Sequence, residues 1–166
     1  SPRVAAEDAA YVLATAGASG EPKRCNVSHA NLSHALDNFR DALGSDSLVQ
    51  ARFLARSAEA FDVHLLECLL AWQMGATVVT MPRRALLADI GTAMADSQVT
   101  HACVVPSLFF TQGRRVAPSD VPHLRALIVG GEKLADDLVD VWGPASIPVL
   151  NAYAPTDATI GISCTP

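Results

Sequence analysis

A chain of 166 residues, half of them hydrophobic, can bury a sizeable core and suits one domain or part of one. Its net charge of −5, with arginines and lysines scattered rather than run together, argues against a nucleic-acid partner, which leaves a basic footprint. The longest apolar stretch, residues 65–81, is interrupted by Glu67, Gln73 and Gly75, too broken for a bilayer span.

The first ten residues carry no apolar signal core, so a cytoplasmic location is expected. Cys25, Cys68, Cys103 and Cys164 are widely spaced without a CxxC pair, which reads as reduced thiols. In chain order, residues 9–16 form an apolar, β-prone run and 23–28 its hairpin partner. A helix follows to about Leu43, with Ser28 as N-cap, Gly44 as terminator and Leu32, Leu36, Phe39 and Leu43 on one face. A strand is expected within 47–54. Residues 60–74 read as a helix whose apolar residues nearly encircle it, implying deep burial. A buried strand over 76–81 and one helix over 86–97 come next. Further strands are expected at 100–105, 124–129, 147–150 and 158–164, with a short helix from Pro106 to Gln112 and another over 134–142. Residues 113–122 read as a loop, and Trp72 and Trp142 as packing residues.

Strands alternating with helices imply an α/β fold with a layered, mostly parallel sheet flanked by helices. Ligands bind such sheets beyond the carboxyl ends of the strands. The candidate ends are Thr15, Gly130 and Asn151.

The most informative stretch is 11–29, YVLATAGASGEPKRCNVSH. A strand feeds a loop containing Gly17 and Gly20, and that loop leads to Lys23. Glycines let backbone N–H groups approach phosphate oxygens, Thr15 and Ser19 offer hydroxyls, and Lys23 offers charge. The spacing is not that of a Walker loop. Taken alone, the same residues also make an ordinary turn rich in small residues.

The stretch resembles the phosphate-loop motif YTSG(S/T)TGxPKG of adenylate-forming enzymes. In the right order, 61–67 (FDVHLLE) resembles the FDxSxxE segment, Gly130-Gly131-Glu132 the GGE turn, and 151–157 (NAYAPTD) the NAYGPTE motif. The nearest branch is similar to the adenylation domains of fungal-type nonribosomal peptide synthetases. The resemblance makes residues 1–166 part of the large N-terminal core of such a domain, without the small C-terminal subdomain. It implies ATP and magnesium as cofactors, an amino acid as substrate, and a phosphopantetheinyl carrier and a condensation domain as neighbours.

It also implies site residues. Asp62 would pair with the substrate's α-ammonium and Phe61 would border its carboxylate. The side-chain pocket would be lined by Val63, Leu66, Val104, Ile128, Gly130, Ala152, Ile160 and Gly161, an apolar set without a second charge. Tyr153 would stack on adenine, framed by Asn151, Ala152 and the Gly130-Gly131-Glu132 turn. Thr15, Gly17, Ser19, Gly20, Lys23 and Thr156 would meet phosphate, and Asp157 would meet magnesium. Without the resemblance, Asp62 also reads as a solvated acid favoured by a helix dipole, and Phe61 and Tyr153 as packing residues.

The motifs are imperfect. Ala16 and Ala18 replace hydroxyl residues, Arg24 and Ala154 replace glycines, His64 replaces a small residue and Asp157 replaces glutamate. Each lost hydrogen bond to a charged group costs about 1.5–3 kcal/mol. The isolated chain is therefore expected to be weak or inactive. The alternative reading is a degenerate adenylation domain serving as a structural or interaction module. An acyl-CoA synthetase-like ligase is more distant, because its substrate has no ammonium for Asp62.

Overall fold

A computed structural model describes residues 3–15, 21–44, 50–111, 113–153, 159 and 163–165. A two-stranded hairpin comes first: β1 (Ala9–Thr15) pairs antiparallel with β2 (Lys23–Ser28), setting Thr15 opposite Lys23. Helix α1 (His29–Leu43) follows without a break. The Ser28 hydroxyl accepts the Asn31 N–H at 3.2 Å, and Gly44, at φ 76°, closes the helix. Ala35, Leu36, Phe39 and Leu43 are its buried face.

Among the described residues the main sheet has six strands, in the spatial order 163–165, 149–153, 126–130, 101–104, 52–54 and 77–79. β3 (Arg52–Leu54), β4 (Thr77–Val79), β5 (His101–Val104), β8 (Ala126–Gly130) and β9 (Val149–Tyr153) run parallel, and β10 (Ser163–Thr165) joins β9 antiparallel. Crossovers carry α2 (Asp62–Gln73), α3 (Arg83–Ala88), α4 (Ile90–Asp96) and α5 (Asp136–Trp142). Successive strand residues point to opposite faces. Phe53, Cys103 and Ile128 pack with Leu36, Phe39 and Leu70 of α1 and α2. Leu54, Val104 and Val129 pack with Ile90, Met94, Leu138 and Trp142 of α4 and α5. The expected layered, mostly parallel α/β sheet is what forms.

Local expectations need correction. The single helix over 86–97 is two helices broken at Asp89, whose extended backbone (φ −162°) caps α4 through its carboxylate, which accepts from Thr92 N–H and Oγ1 at 3.2 and 3.0 Å. The loop over 113–122 holds β7 (Arg114–Arg115), paired with β6 (Phe110–Thr111), and a 3-10 turn over Pro118–Asp120 pinned by Arg114. The strand expected to be buried over 76–81 is the short edge strand β4, with Thr77 exposed. Helix α2 is buried on one side only, and Trp72 is 65% exposed rather than packed. Trp142 is buried as expected, its indole N–H donating to the Val116 carbonyl at 2.9 Å.

Among the described residues, Cys25, Cys68 and Cys103 carry no disulfide. No described helix is long and apolar enough to cross a membrane.

Candidate functional site

A cavity of about 760 Å³ opens where the carboxyl ends of β3, β5, β8 and β9 meet α2 and α3. Phe61, Val63, Leu66, Val104, Gly130 and Ala152, all expected against the substrate, stand on its wall, as does Gly131. The opposite wall is Leu86 and Leu87 of α3 with Leu108 and Phe110. Phe61 is 63% exposed as the residue preceding α2, so it is a rim residue and not core.

The glycine turn is a geometric necessity. Gly130 pairs with Ala152 across β8 and β9, and a Cβ on it would fall 2.6 Å from the Ala152 carbonyl oxygen. Gly131 adopts φ +80°, a conformation that side chains disfavour. Glu132 is not itself a lining residue but holds one, Ser107. Its carboxylate accepts from Ser107 N–H at 3.0 Å and from Ser107 Oγ at 2.8 Å, tying the 3-10 turn over Pro106–Phe109 to the end of β8.

Asp62 opens α2 between the wall residues Phe61 and Val63, and is itself only 6% exposed. The reading of it as a solvated helix acid is therefore overturned. One carboxylate oxygen, Oδ1, accepts the Val63 N–H at 2.9 Å, while Oδ2 is buried with no hydrogen-bond partner. Burial pushes its carboxyl above the usual range, against the lowering effect of the Val63 and Asp62 amides. The Tyr11 hydroxyl is likewise buried without a partner, and burial, with the nearby charges of Asp62 and Cys25, pushes it up to about 12. A buried unpaired carboxylate is costly and calls for a cation.

A second buried carboxylate is fully satisfied. Glu67 of α2 reaches back to the loop after β3, its Oε2 accepting from Arg56 and Ser57 N–H and its Oε1 from Ser57 Oγ. Burial raises its pKa, while Ser57 and Arg56 work the other way. Next to it His64 sets Nδ1 against the Ser57 carbonyl at 3.1 Å, so this motif departure is absorbed by packing.

Ile128 needs correction. It is 1% exposed and packs in the core with α1 and α2, two residues short of the carboxyl end of β8, and is not among the residues lining the cavity. Tyr153 ends β9 with its ring 64% exposed, which overturns the packing alternative, and Asn151 beside it is exposed. Thr15 and Lys23 lie opposite each other at the loop end of the hairpin, where β1 ends and β2 begins. Gly17, Ser19, Gly20, Thr156, Asp157, Ile160 and Gly161 lie outside the described residues. Among the described residues no three His, Cys, Asp or Glu side chains converge to hold a metal.

Matching motif by motif missed most of the wall, including its two arginines, Arg56 and Arg83. Arg56 follows the end of β3 by two residues, so the strand-end rule alone points to it. Its Nε donates to the Cys103 carbonyl at 3.0 Å.

The family model for the AMP-binding enzyme matches residues 1–166. The chain belongs to that family. It is 52% identical over 165 residues to the ferrichrome siderophore peptide synthetase of Mycosarcoma maydis, covering 95% of the chain and 4% of that protein. It is 40% identical over 162 residues to nonribosomal peptide synthetase sidC of Aspergillus fumigatus, covering 93% of the chain and 3% of that protein. Among solved structures, the Vibrio cholerae adenylation domain AlmE, in complex with glycyl-adenosine-5′-phosphate, matches with TM-score 0.80 and 26% identity over 97% of the chain and 31% of that protein. PA1221, a nonribosomal synthetase protein containing adenylation and PCP domains, matches with TM-score 0.77 and 25% identity over 99% of the chain and 33% of that protein. This chain is thus a fragment of a nonribosomal peptide synthetase adenylation domain, spanning a few hundredths of the length of its curated relatives.

Proposed function

We propose that this chain supplies the amino-acid pocket and part of the nucleotide cradle of a domain that joins an amino acid's carboxylate to the α-phosphate of ATP, within a cytoplasmic synthetase. The observation that carries the proposal is Asp62: buried, its Oδ2 unpartnered, between two residues of the cavity wall. An α-ammonium meeting Oδ2 would favour the ionised carboxylate and offset the cost of its burial. It would also orient the substrate, leaving its carboxylate near Phe61.

Joining two anions demands positioning and charge neutralisation. Thr15 and Lys23 stand together to offer a hydroxyl and a cation to phosphate. The exposed Tyr153 ring is available for stacking on a base, with Asn151 and the Gly130-Gly131 backbone beside it. Glu132 supports that edge through Ser107. When bound, ATP supplies the electrophilic phosphorus and the pyrophosphate leaving group. Gly17, Ser19, Gly20 and Thr156 are assigned to phosphate, Asp157 to magnesium, and Ile160 and Gly161 to the side-chain pocket, on the motif resemblance. A phosphopantetheinyl carrier is assigned as acceptor and a condensation domain as neighbour, because the relatives are peptide synthetases. The test is amino-acid-dependent exchange of pyrophosphate into ATP by the intact domain. Stimulation by at least one amino acid is expected, and none would overturn the proposal.

The second reading, a structural module without chemistry, rests on the motif departures at Ala16, Ala18, Arg24, Ala154 and Asp157. It expects no binding of ATP with magnesium by the intact domain in calorimetric titration.

A further inference from the structure

We propose that Arg56 is a specificity-determining residue of this pocket, and that the pocket takes an amino acid whose side chain ends in a hydrogen-bond acceptor, a carboxylate or a carbonyl. The inference rests on the amino-acid reading of the site given above, and corrects the expectation of an apolar pocket without a second charge.

The polar side chains on the wall narrow the choice. Three hydroxyls are already spent: Ser57 Oγ donates to Glu67 at 2.9 Å, Ser107 Oγ to Glu132 at 2.8 Å and Thr111 Oγ1 to the Ala88 carbonyl at 3.4 Å. Asp62 is buried just behind the wall between Phe61 and Val63, and Glu67, which adjoins the lining residues beside the fork, is already satisfied. The remaining polar ends are the guanidiniums of Arg56 and Arg83, neither in an ion pair among the described residues. Arg83 is exposed in the first turn of α3 and faces water. Arg56 is half-buried and built in. Its N–H is held by Glu67 at 3.0 Å and its Nε by the Cys103 carbonyl at 3.0 Å, leaving the two terminal nitrogens of its fork without partners among the described residues.

A fork fixed at Nε loses little conformational freedom when it binds, and the in-plane N–H groups at its edge match a carboxylate or carbonyl. The same cavity is lined by Phe39, Val63, Leu66, Leu86 and Leu108, an apolar surround that strengthens a hydrogen bond made within it. An aliphatic side chain would strip water from the fork and return nothing. That penalty is the means of discrimination. The substrate therefore has two polar ends recognised by opposite charges, its ammonium at Asp62 and its side-chain acceptor at Arg56.

The test compares substrates within one protein. Pyrophosphate exchange by the intact adenylation domain is measured with glutamate, glutamine and citrulline, and with methionine and norleucine as aliphatic-ended counterparts. The best acceptor-ended substrate is expected to exceed the best aliphatic one in kcat/KM by about 10- to 100-fold. Arg56→Met is expected to erase that ratio and Arg56→Lys to restore much of it, with KM for ATP unchanged in both. Because the ratio is internal to each variant, partial unfolding cancels. A wild-type preference for methionine or norleucine overturns the inference. So does an Arg56→Met domain that loses activity equally on every substrate, or one whose KM for ATP alone rises. Exchange with no amino acid overturns the adenylation reading and this inference with it. An Asp62→Asn domain as active as the parent overturns the ammonium assignment alone, and the substrate ratio still decides Arg56.

Discussion

Glu67 grips Ser57 twice, its Oε2 accepting the Ser57 N–H at 3.0 Å and its Oε1 the Ser57 hydroxyl at 2.9 Å. A residue in the second turn of α2 thereby fixes the loop at the carboxyl end of β3, which carries Arg56 to the cavity wall. Glu67→Leu leaves two amides and a hydroxyl without an acceptor. Each orphan costs about 1–3 kcal/mol if it stays dry. Glu67→Gln keeps one carbonyl acceptor and is expected to cost about half as much as Glu67→Leu. Urea denaturation of the two variants of the intact domain checks the order, and equal midpoints would contradict the role given to this contact.

Gly130 presents a steric limit. The atom that a new Cβ would strike, at 2.6 Å, is the backbone oxygen of Ala152 in the neighbouring strand, which cannot swing aside. Gly130→Ala is expected to destabilise the domain by about 1–3 kcal/mol, and to lower amino-acid affinity by shifting the β8 and β9 ends. Gly131→Ala, at φ +80°, is expected to cost about 1–2 kcal/mol. Thermal unfolding together with substrate titration separates the two, since Gly130 is paired with Ala152 of β9 and Gly131 lies beyond that pairing.

Much of this architecture was legible because the local signals agree. Ser28 and Gly44 bracket α1, and the apolar run of β8 is buried at Ala126, Leu127, Ile128 and Val129. The break at Asp89 was hidden for a physical reason. Leu86, Ile90 and Met94, four residues apart, all reach one core, so the helical period runs unbroken through the interruption. Trp72 misled because size and hydrophobicity do not say which side of a helix meets the sheet. Asp62 was legible through its motif, but its unpartnered Oδ2 needed the fold. Arg56 was not legible from matched motifs, since it lies between them and gains meaning only from the wall it joins.

Asp89 holds the junction of α3 and α4 through Thr92. Asp89→Ala is expected to cost about 1 kcal/mol, the usual loss of an N-cap. Because the junction lies behind Leu86 and Leu87, pyrophosphate exchange should fall only as far as stability does. A variant that is fully stable yet inactive would contradict that placement.

His101 sets the acid limb of stability. Its ring stacks on Phe53 at 4.9 Å with Nε2 buried and unpartnered, and burial, with the charge of Arg125, pushes its pKa down from 6.5 to about 4. Between those values the unfolded chain binds a proton that the folded chain refuses. Stability is therefore full above pH 6.5 and falls as pH drops toward 4, by an amount on the order of 3 kcal/mol. Asp62 and Glu67, both raised by burial, act in the opposite sense and soften the loss as they take up protons. His101→Phe is expected to flatten this limb in denaturation measured from pH 7 to 4, while an unchanged slope would assign the limb elsewhere.

The most direct test of the central claim is the ratio of pyrophosphate exchange with an amino acid to exchange with the same acid lacking its amino group, measured for the intact domain with Asp62 and with Asp62→Asn. A buried charge left without its partner costs about 3–5 kcal/mol, so the parent is expected to favour the amino acid by at least 100-fold and the variant to lose most of that margin. A variant that still rejects the acid lacking an amino group as strongly as the parent would contradict the assignment of Asp62 to the ammonium.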